Sequence, residues 1–365
     1  CLHLGLRRNI VVMRILSIQS AVSYGHVGNS AAVFPLQRMG HEVMPVYTVM
    51  FSNHTGYGDW KGPMMTGQNV RDIVAGIDTR GGLGDTELVL SGYQGGNDIG
   101  DAILDSVRLV KERNPNALYA CDPVLGSAIK GCFVSPEVQA LVRDRVVPQA
   151  DIITPNQFEL GFLTGTEPRT LEETLESVDL VRAKGPSTVL VTSVDRPDAP
   201  AGTIEMLAVN DEGAWLVQTP RLDFHPSGSG DVTAALFASA LVETGSAPQA
   251  LARTAASIFD LLEATYDAGS SELLLIEAQV KTEDGITKAD IKPHQEIIAT
   301  PRPPTPATAE SSEYIPEDIR DVSEAGEVSV ESAAVSASPI GSLRCIGEVL
   351  MPHLVILGAF LGIRE

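Results

Sequence analysis

From Met13 onward, short runs rich in Val, Ile and Leu alternate with segments of helical period. That alternation confines the chain to parallel strands joined by crossover helices. The runs are RILSIQS, EVMPVYTVM, ELVLSGY, LYACDPV, ADIITPN and TVLVTSV. Between the third and fourth, Ile99, Ile103, Val107 and Val110 share one helical face, with Arg108, Lys111 and Glu112 turned away, which predicts a helix packed on a sheet. After Val194 the pattern becomes a meander, IEMLAVN then AWLVQTPRL, around the turn residues Asn210, Asp211 and Gly213. A helix pair follows, from about Ser229 to Gly245 and from about Ala247 to Tyr266. The expected fold is α/β, an open, mostly parallel sheet flanked by helices on both faces, with antiparallel edge strands.

Residues 1–12 read as an extension ahead of Met13, and 13–297 as the folded domain. Beyond that, 298–365 is rich in Pro, Ser, Ala and acids; with so few large apolar residues it cannot offset the entropy of ordering, and disorder is expected. Its short apolar end, Val349 to Ile363, is interrupted by Pro352 and His353, so no membrane span is expected. The chain has 26 Lys plus Arg against 47 Asp plus Glu, a net charge of -21. Such a field repels phosphate backbones and anionic lipid, which argues against nucleic acid and membrane partners. Cys1, Cys121, Cys132 and Cys345 form no CxxC pair, and a reducing cytoplasm is the natural setting.

The strongest local signal is HPSGSGDVTAALFASAL, where Gly228, Ser229, Gly230 and Asp231 form a Gly-x-Gly-Asp turn leading into an apolar helix. Glycines let the backbone approach a ligand, and the free N–H groups of a helix start attract an anion such as a transferring phosphoryl group. Asp231 in the first turn is placed to take a proton from an attacking hydroxyl. Asp also caps helices in its own right. Gly82, Leu83, Gly84 and Asp85 repeat the pattern but lead into a strand, so no helix dipole serves them. The sequence has no HExxH, no GxSxG elbow and no GxxxxGK[ST] phosphate loop.

A Gly-x-Gly-Asp helix start late in an α/β domain resembles the signature of ribokinase-like kinases. The segments SIQSAVSYGHVGNSAAVFPLQRMGHEV, VMFSNHTGYGDWKG, LSGYQG, CDPVLG and TPNQFEL resemble, in order, those of pyridoxal kinases, and together cover about Met13 to Pro293. The resemblance implies that Ser20, Val27, Thr55, Gly56, Tyr93 and Asp231 bind substrate, with Asp231 as base and Gly228, Ser229 and Gly230 as anion hole. It implies that Asp122 and Glu159 organise Mg2+ and its waters, that Asn156 orients that shell, and that Asp122, Thr154, Glu159, Thr192, Thr219, Pro220, Arg221 and Leu222 meet ATP. Thr192 stands where some members carry lysine, and the HPS stretch is shorter than in many.

The implied activity is transfer of the γ-phosphoryl of ATP to the 5'-hydroxyl of pyridoxal, with ATP as co-substrate, Mg2+ and K+ as cations, and a cytoplasmic homodimer. The alternatives are a hydroxymethylpyrimidine kinase and a non-catalytic pyridoxal-binding protein. His26 and His54 read as loop residues bonded to backbone or lining the pocket.

Overall fold

The computed structural model describes residues 12–278. Residues 1–11 of the expected extension, the end of the expected 13–297 domain and the whole 298–365 tail lie outside the described residues. In chain order the elements are β1 (Arg14–Tyr24), α1 (Asn29–Arg38), β2 (Glu42–Asn53), α2 (Gly67–Asp78), β3 (Thr86–Ser91), α3 (Asn97–Arg113), β4 (Leu118–Cys121), β5 (Gly126–Ser127), β6 (Gly131–Cys132) and α4 (Pro136–Leu141). There follow β7 (Ile152–Ile153), α5 (Gln157–Thr164), α6 (Leu171–Arg182), β8 (Thr188–Val194), β9 (Thr203–Asn210), β10 (Gly213–Pro220), α7 (Ser229–Thr244) and α8 (Ala247–Asp267).

Eight strands form one sheet in the order β10, β9, β8, β7, β4, β3, β1, β2, while β5 and β6 pair as a separate hairpin. From β2 to β8 neighbouring strands are parallel; β8 to β9 and β9 to β10 are antiparallel, as the meander predicts. At the other edge the chain covers its own exposed strand. Met50 N–H donates to Pro63 O and Met65 N–H to Thr48 O, both at 3.0 Å, which removes a free template for pairing with another chain.

Period-two alternation sends neighbouring residues of each strand to opposite cores. Leu16, Val89, Ile153 and Val191 join one buried cluster with Val74, Ile103, Val107 and Val178 of the helices on that face. Ile15, Leu90, Ile152 and Leu190 join the other, with Leu36, Phe237 and Leu251. On that second face α7 packs against β3 and β4, flanked by α1 and α8. Every residue from Val232 to Leu241 is buried, the condition of a helix that is apolar all round. Its alanines allow close approach, and its N-terminus therefore meets the carboxyl ends of the central strands.

The strand expected over ADIITPN shrinks to Ile152–Ile153. Thr154 N–H still reaches Cys121 O at 3.2 Å, but Pro155 has no N–H with which to continue the ladder. β1 departs in the other direction: Ser20 does not end it, since the strand runs on to Tyr24. Its register against β2 shifts between Gln19 and Ala21, around Ser20. A bulge re-aims side chains locally.

Candidate active site

The carboxyl ends of the parallel strands share one rim of the sheet, where ligands of open α/β folds bind. Asp122 follows the last residue of β4, and Thr154 the last residue of β7. Thr192 lies in a second register shift, where β8 bulges against β9 between Val191 and Val194 and Ser193 takes a φ of 52°. It forms an isolated parallel bridge with Asn156. Thr219 and Pro220 close β10 at the same rim. The Arg221 guanidinium beyond them is held by Asp195 at 2.6 Å and Thr203 O at 3.2 Å.

The second Gly-x-Gly-Asp lies at the opposite rim. Asp85 Oδ2 pairs at 3.1 Å with Arg14, which opens β1. Asp85 thus anchors a loop on the amino side of the sheet, as its missing helix predicts.

Asp122, Glu159 and Asp231 converge. Burial drives the Asp122 carboxyl well above the usual carboxylate range, and the charges of Glu159 and Asp231 push it further. Burial pushes Glu159 up to about 6 against three backbone donors. Asp231, only part-exposed, is likewise pushed up to about 6 by burial, against the opposing pull of the Gly28 N–H. Among the described residues no Lys, Arg or His forms a salt bridge with any of the three. A cluster of mutually repelling buried carboxylates fits a divalent cation. Among the described residues no three His, Cys, Asp or Glu side chains form a direct metal-binding group. The donor set suits an ion such as Mg2+ that keeps several waters and takes few carboxylates.

Glu159 has a second task that residue type alone did not reveal. It is the third residue of α5 and completes a capping box with Asn156. Its Oε1 accepts from Leu125 N–H at 2.7 Å and Gly126 N–H at 3.2 Å, and its Oε2 from Asn156 N–H at 2.9 Å. One carboxylate therefore fixes both the helix start and the root of the β5–β6 hairpin. Asn156, expected to orient a water shell, commits its amide to Gly126 O and Glu159 N–H. Between Asp122 and Leu125 the chain passes through Val124 with a φ of 39°, a conformation that β-branched residues rarely adopt. The Val124 N–H lies near the Asp122 carboxylate and opposes part of the rise in its pKa.

At the helix start, Gly228 has a φ of 91° and no side chain caps the first turn of α7. A Cβ on Gly228 would lie 1.8 Å from His26 O, so the β1–α1 loop presses directly on the turn. Gly28, with a φ of 52°, is packed as tightly, its missing Cβ falling 2.3 Å from both Ser20 O and Ser20 Oγ. Gly230 faces Asp122, whose Oδ2 lies 3.8 Å from the position a Gly230 Cβ would take.

The one-turn helix Thr55–Tyr57 approaches the same place, for Ser227 Oγ lies 3.9 Å from where Gly56 would carry a Cβ. Tyr93 is half-buried, its phenol pKa raised by burial, and its carbonyl accepts from Thr48 Oγ1 at 3.0 Å. Val27 lies in the loop pinned by Gly28. Ser20, Val27, Gly28 and the Thr55–Tyr57 turn therefore gather on the β1–β2 side, and Asp122, Thr154 and Glu159 on the β4–β7 side, with Asp231 between. Cys121 is a fully buried thiol pushed up to about 12, in keeping with a core residue. Glu272, which sequence reasoning passed over, reaches into the site from beyond α8 and bonds His54, Tyr57 and His26.

The profile of a family described as phosphomethylpyrimidine kinase matches residues 100–274. Pyridoxal kinase PdxY of Leifsonia xyli is 64% identical over 267 residues, covering 73% of this chain and 94% of the relative. Pyridoxal kinase PdxY of Corynebacterium diphtheriae is 60% identical over the same shares of the two chains. Among solved structures, pyridoxal kinase from Leishmania donovani in complex with ADP and ginkgotoxin superposes with a TM-score of 0.70 at 29% identity, covering 80% of this chain and 99% of that one. No described helix is long and apolar enough to cross a membrane. Identity this high over nearly the full length of the relatives leaves one family open, and this chain belongs to the pyridoxal kinases.

Proposed function

We propose that this chain is an ATP-dependent phosphotransferase that moves the γ-phosphoryl of ATP to the 5'-hydroxyl of pyridoxal, giving pyridoxal 5'-phosphate and ADP. The observation that carries the reading is Asp231, a carboxylate at the uncapped start of α7 whose pKa is pushed up to about 6 by burial. A base works best when its pKa lies near the working pH. In the step, the 5'-hydroxyl gives its proton to the Asp231 carboxylate while its oxygen bonds to the γ-phosphorus. The bond from that phosphorus to the β–γ bridging oxygen breaks, and ADP leaves. The Gly228, Ser229 and Gly230 turn receives the charge on the transferring group through backbone N–H donors and the helix dipole.

Ser20, Val27, Thr55, Gly56 and Tyr93 are assigned to the pyridine ring and its substituents. Thr154, Thr192 and Thr219 to Leu222 are assigned to the nucleotide. Asp122 and Glu159 would hold Mg2+ through its waters, and when bound that ion neutralises phosphate charge. Support comes from the shared rim and from the carboxylate cluster, which among the described residues has no salt-bridged basic partner. K+, a homodimer and a cytoplasmic setting belong to the same reading and rest on family resemblance.

The test is a panel with ATP, Mg2+ and K+ in which pyridoxal and hydroxymethylpyrimidine compete at matched concentration. Preferential phosphorylation of pyridoxal is expected. Preference for the pyrimidine would transfer the reading to that ring, and tight pyridoxal binding without ADP release would make the chain a binding protein.

A further inference from the structure

Two loops of the site meet at one carboxylate far away in sequence. Glu272 Oε1 accepts from Tyr57 Oη at 2.6 Å and pairs with His54 Nε2 at 3.0 Å. Its Oε2 accepts from His26 N–H at 3.1 Å. The tautomer of His54 follows from its other nitrogen. Nδ1 accepts from Gly56 N–H at 3.2 Å, so in the neutral ring the proton sits on Nε2 and is donated to Glu272. Burial alone would lift the Glu272 carboxyl, yet the hydrogen bonds from Tyr57, His26 N–H and His54 together hold it below the usual range.

Glu272 is itself well anchored. Its N–H donates to Ser270 Oγ at 3.2 Å, and Ser270 Oγ donates to its carbonyl at 2.7 Å. The next residue, Leu273, is buried in the third apolar cluster, and its Cδ1 lies 3.3 Å from where Gly228 would carry a Cβ. The carboxylate therefore projects from a fixed base behind the phosphoryl turn. On one side it holds the loop whose His26 O presses on Gly228, at the turn that opens into Asp231. On the other it holds His54 and Tyr57, which frame Thr55 and Gly56.

We infer that Glu272 is a positioning residue that latches the Thr55–Tyr57 turn to the 25–28 loop, fixing where the substrate's ring sits relative to the base Asp231. It touches neither phosphate nor reacting hydroxyl; it acts through His54, Tyr57 and His26. The latch rests on the reading that these two loops hold pyridoxal. Its occupied state is a charge-assisted network, so a neutral amide of the same size breaks it without opening a cavity.

The experiment is Glu272→Gln with Tyr57→Phe, His54→Gln, Glu272→Asp and the pair Glu272→Gln with His54→Gln. Glu272→Gln should raise the KM for pyridoxal about tenfold, the scale of one charge-assisted hydrogen bond, while the KM for ATP stays within about twofold. Glu272→Asp should recover part of the loss, and the double variant should lose little more than either single one. Amide hydrogen exchange without ligand reads the latch independently of turnover: segments 25–28 and 54–57 should both exchange faster in Glu272→Gln, and Tyr57→Phe should loosen 54–57. Faster exchange in only one segment or in neither, equal rises in both KM values, or additive losses in the double variant would overturn the latch. An inactive wild type, with the two segments still loosening together in Glu272→Gln, would instead count against the pyridoxal reading alone.

Discussion

The backbone N–H of Gly28 lies near enough to the Asp231 carboxylate to pull its pKa down against burial. This contact joins the loop after the first strand to the first turn of α7, 203 positions later in the numbering. The carboxylate proposed as base is thereby approached by a loop that also borders the side proposed for substrate, and its ionisation is set by packing that costs stability. That opposition gives the first prediction.

Asp231→Asn should stabilise the fold while removing the base. The folded carboxyl has its pKa raised to about 6, above the ordinary value near 3.9. Between those values the folded state binds a proton that the unfolded state does not, so stability falls as pH rises through that window and remains lower at pH 7. A neutral amide escapes the penalty, and a gain of about 1–3 kcal/mol at pH 7.5 is expected, fading near pH 4. Thermal unfolding of both proteins at the two pH values is the measurement. A Tm that drops at pH 7.5 would show that the carboxylate is not held under strain.

The rate should report the same group. With Asp231 needed in its ionised form and titrating at about 6, kcat/KM for pyridoxal should fall about tenfold per unit below that pH. A profile from pH 4.5 to 8, with residual activity checked after return to pH 7.5, reads it. An acid limb near 4 would mean a base that burial has left alone.

Glu159→Gln tests the dual task of that residue. Three backbone donors converge on its carboxylate, and an amide presents N–H groups to at least one of them. Loss of about 1.5–3 kcal/mol in urea unfolding is expected. The KM for ATP should rise with little change for pyridoxal, because the β5–β6 hairpin lies on the side proposed to hold the nucleotide.

Gly228→Ala should abolish the fit of the phosphoryl turn. The added Cβ would fall 1.8 Å from His26 O on a residue with φ 91°, and backbone cannot yield as a flexible side chain can. A stability loss above about 2 kcal/mol with severe loss of activity is expected. Gly76→Ala is the control, since Gly76 lies within α2 with no atom within 4 Å of the new Cβ; it should gain about 0.5–1 kcal/mol.

Much of this architecture is legible in the sequence because local chemistry and tertiary packing agree. The stripe Ile99, Ile103, Val107 and Val110 lies on the buried face of α3. The helix pair begins and ends within about a residue of its Gly and Ala signals. Asp231 could be separated from Asp85 because one leads into a helix and the other into a strand. What stayed hidden depends on contacts remote in sequence. The box Asn156 to Glu159 is visible as a pattern, but the grip of Glu159 on Leu125 is not. Glu272 stands 218 positions from His54, in a Ser-Leu-rich stretch with nothing to mark one acid among many. β7 is shorter than its apolar run predicts, because apolar residues promise a strand whether or not a proline ends its ladder.

The most direct test of the central claim is formation of pyridoxal 5'-phosphate from pyridoxal and ATP by the purified chain beside Asp231→Asn, with ADP release counted in the same reaction. Stoichiometric product and ADP from the wild type are predicted, with the rate of the variant lower by about 10²–10⁴-fold, the usual scale of general-base catalysis. An inactive wild type with Mg2+ and K+ present would contradict the kinase reading, and a fully active variant would contradict the assignment of Asp231 as the base.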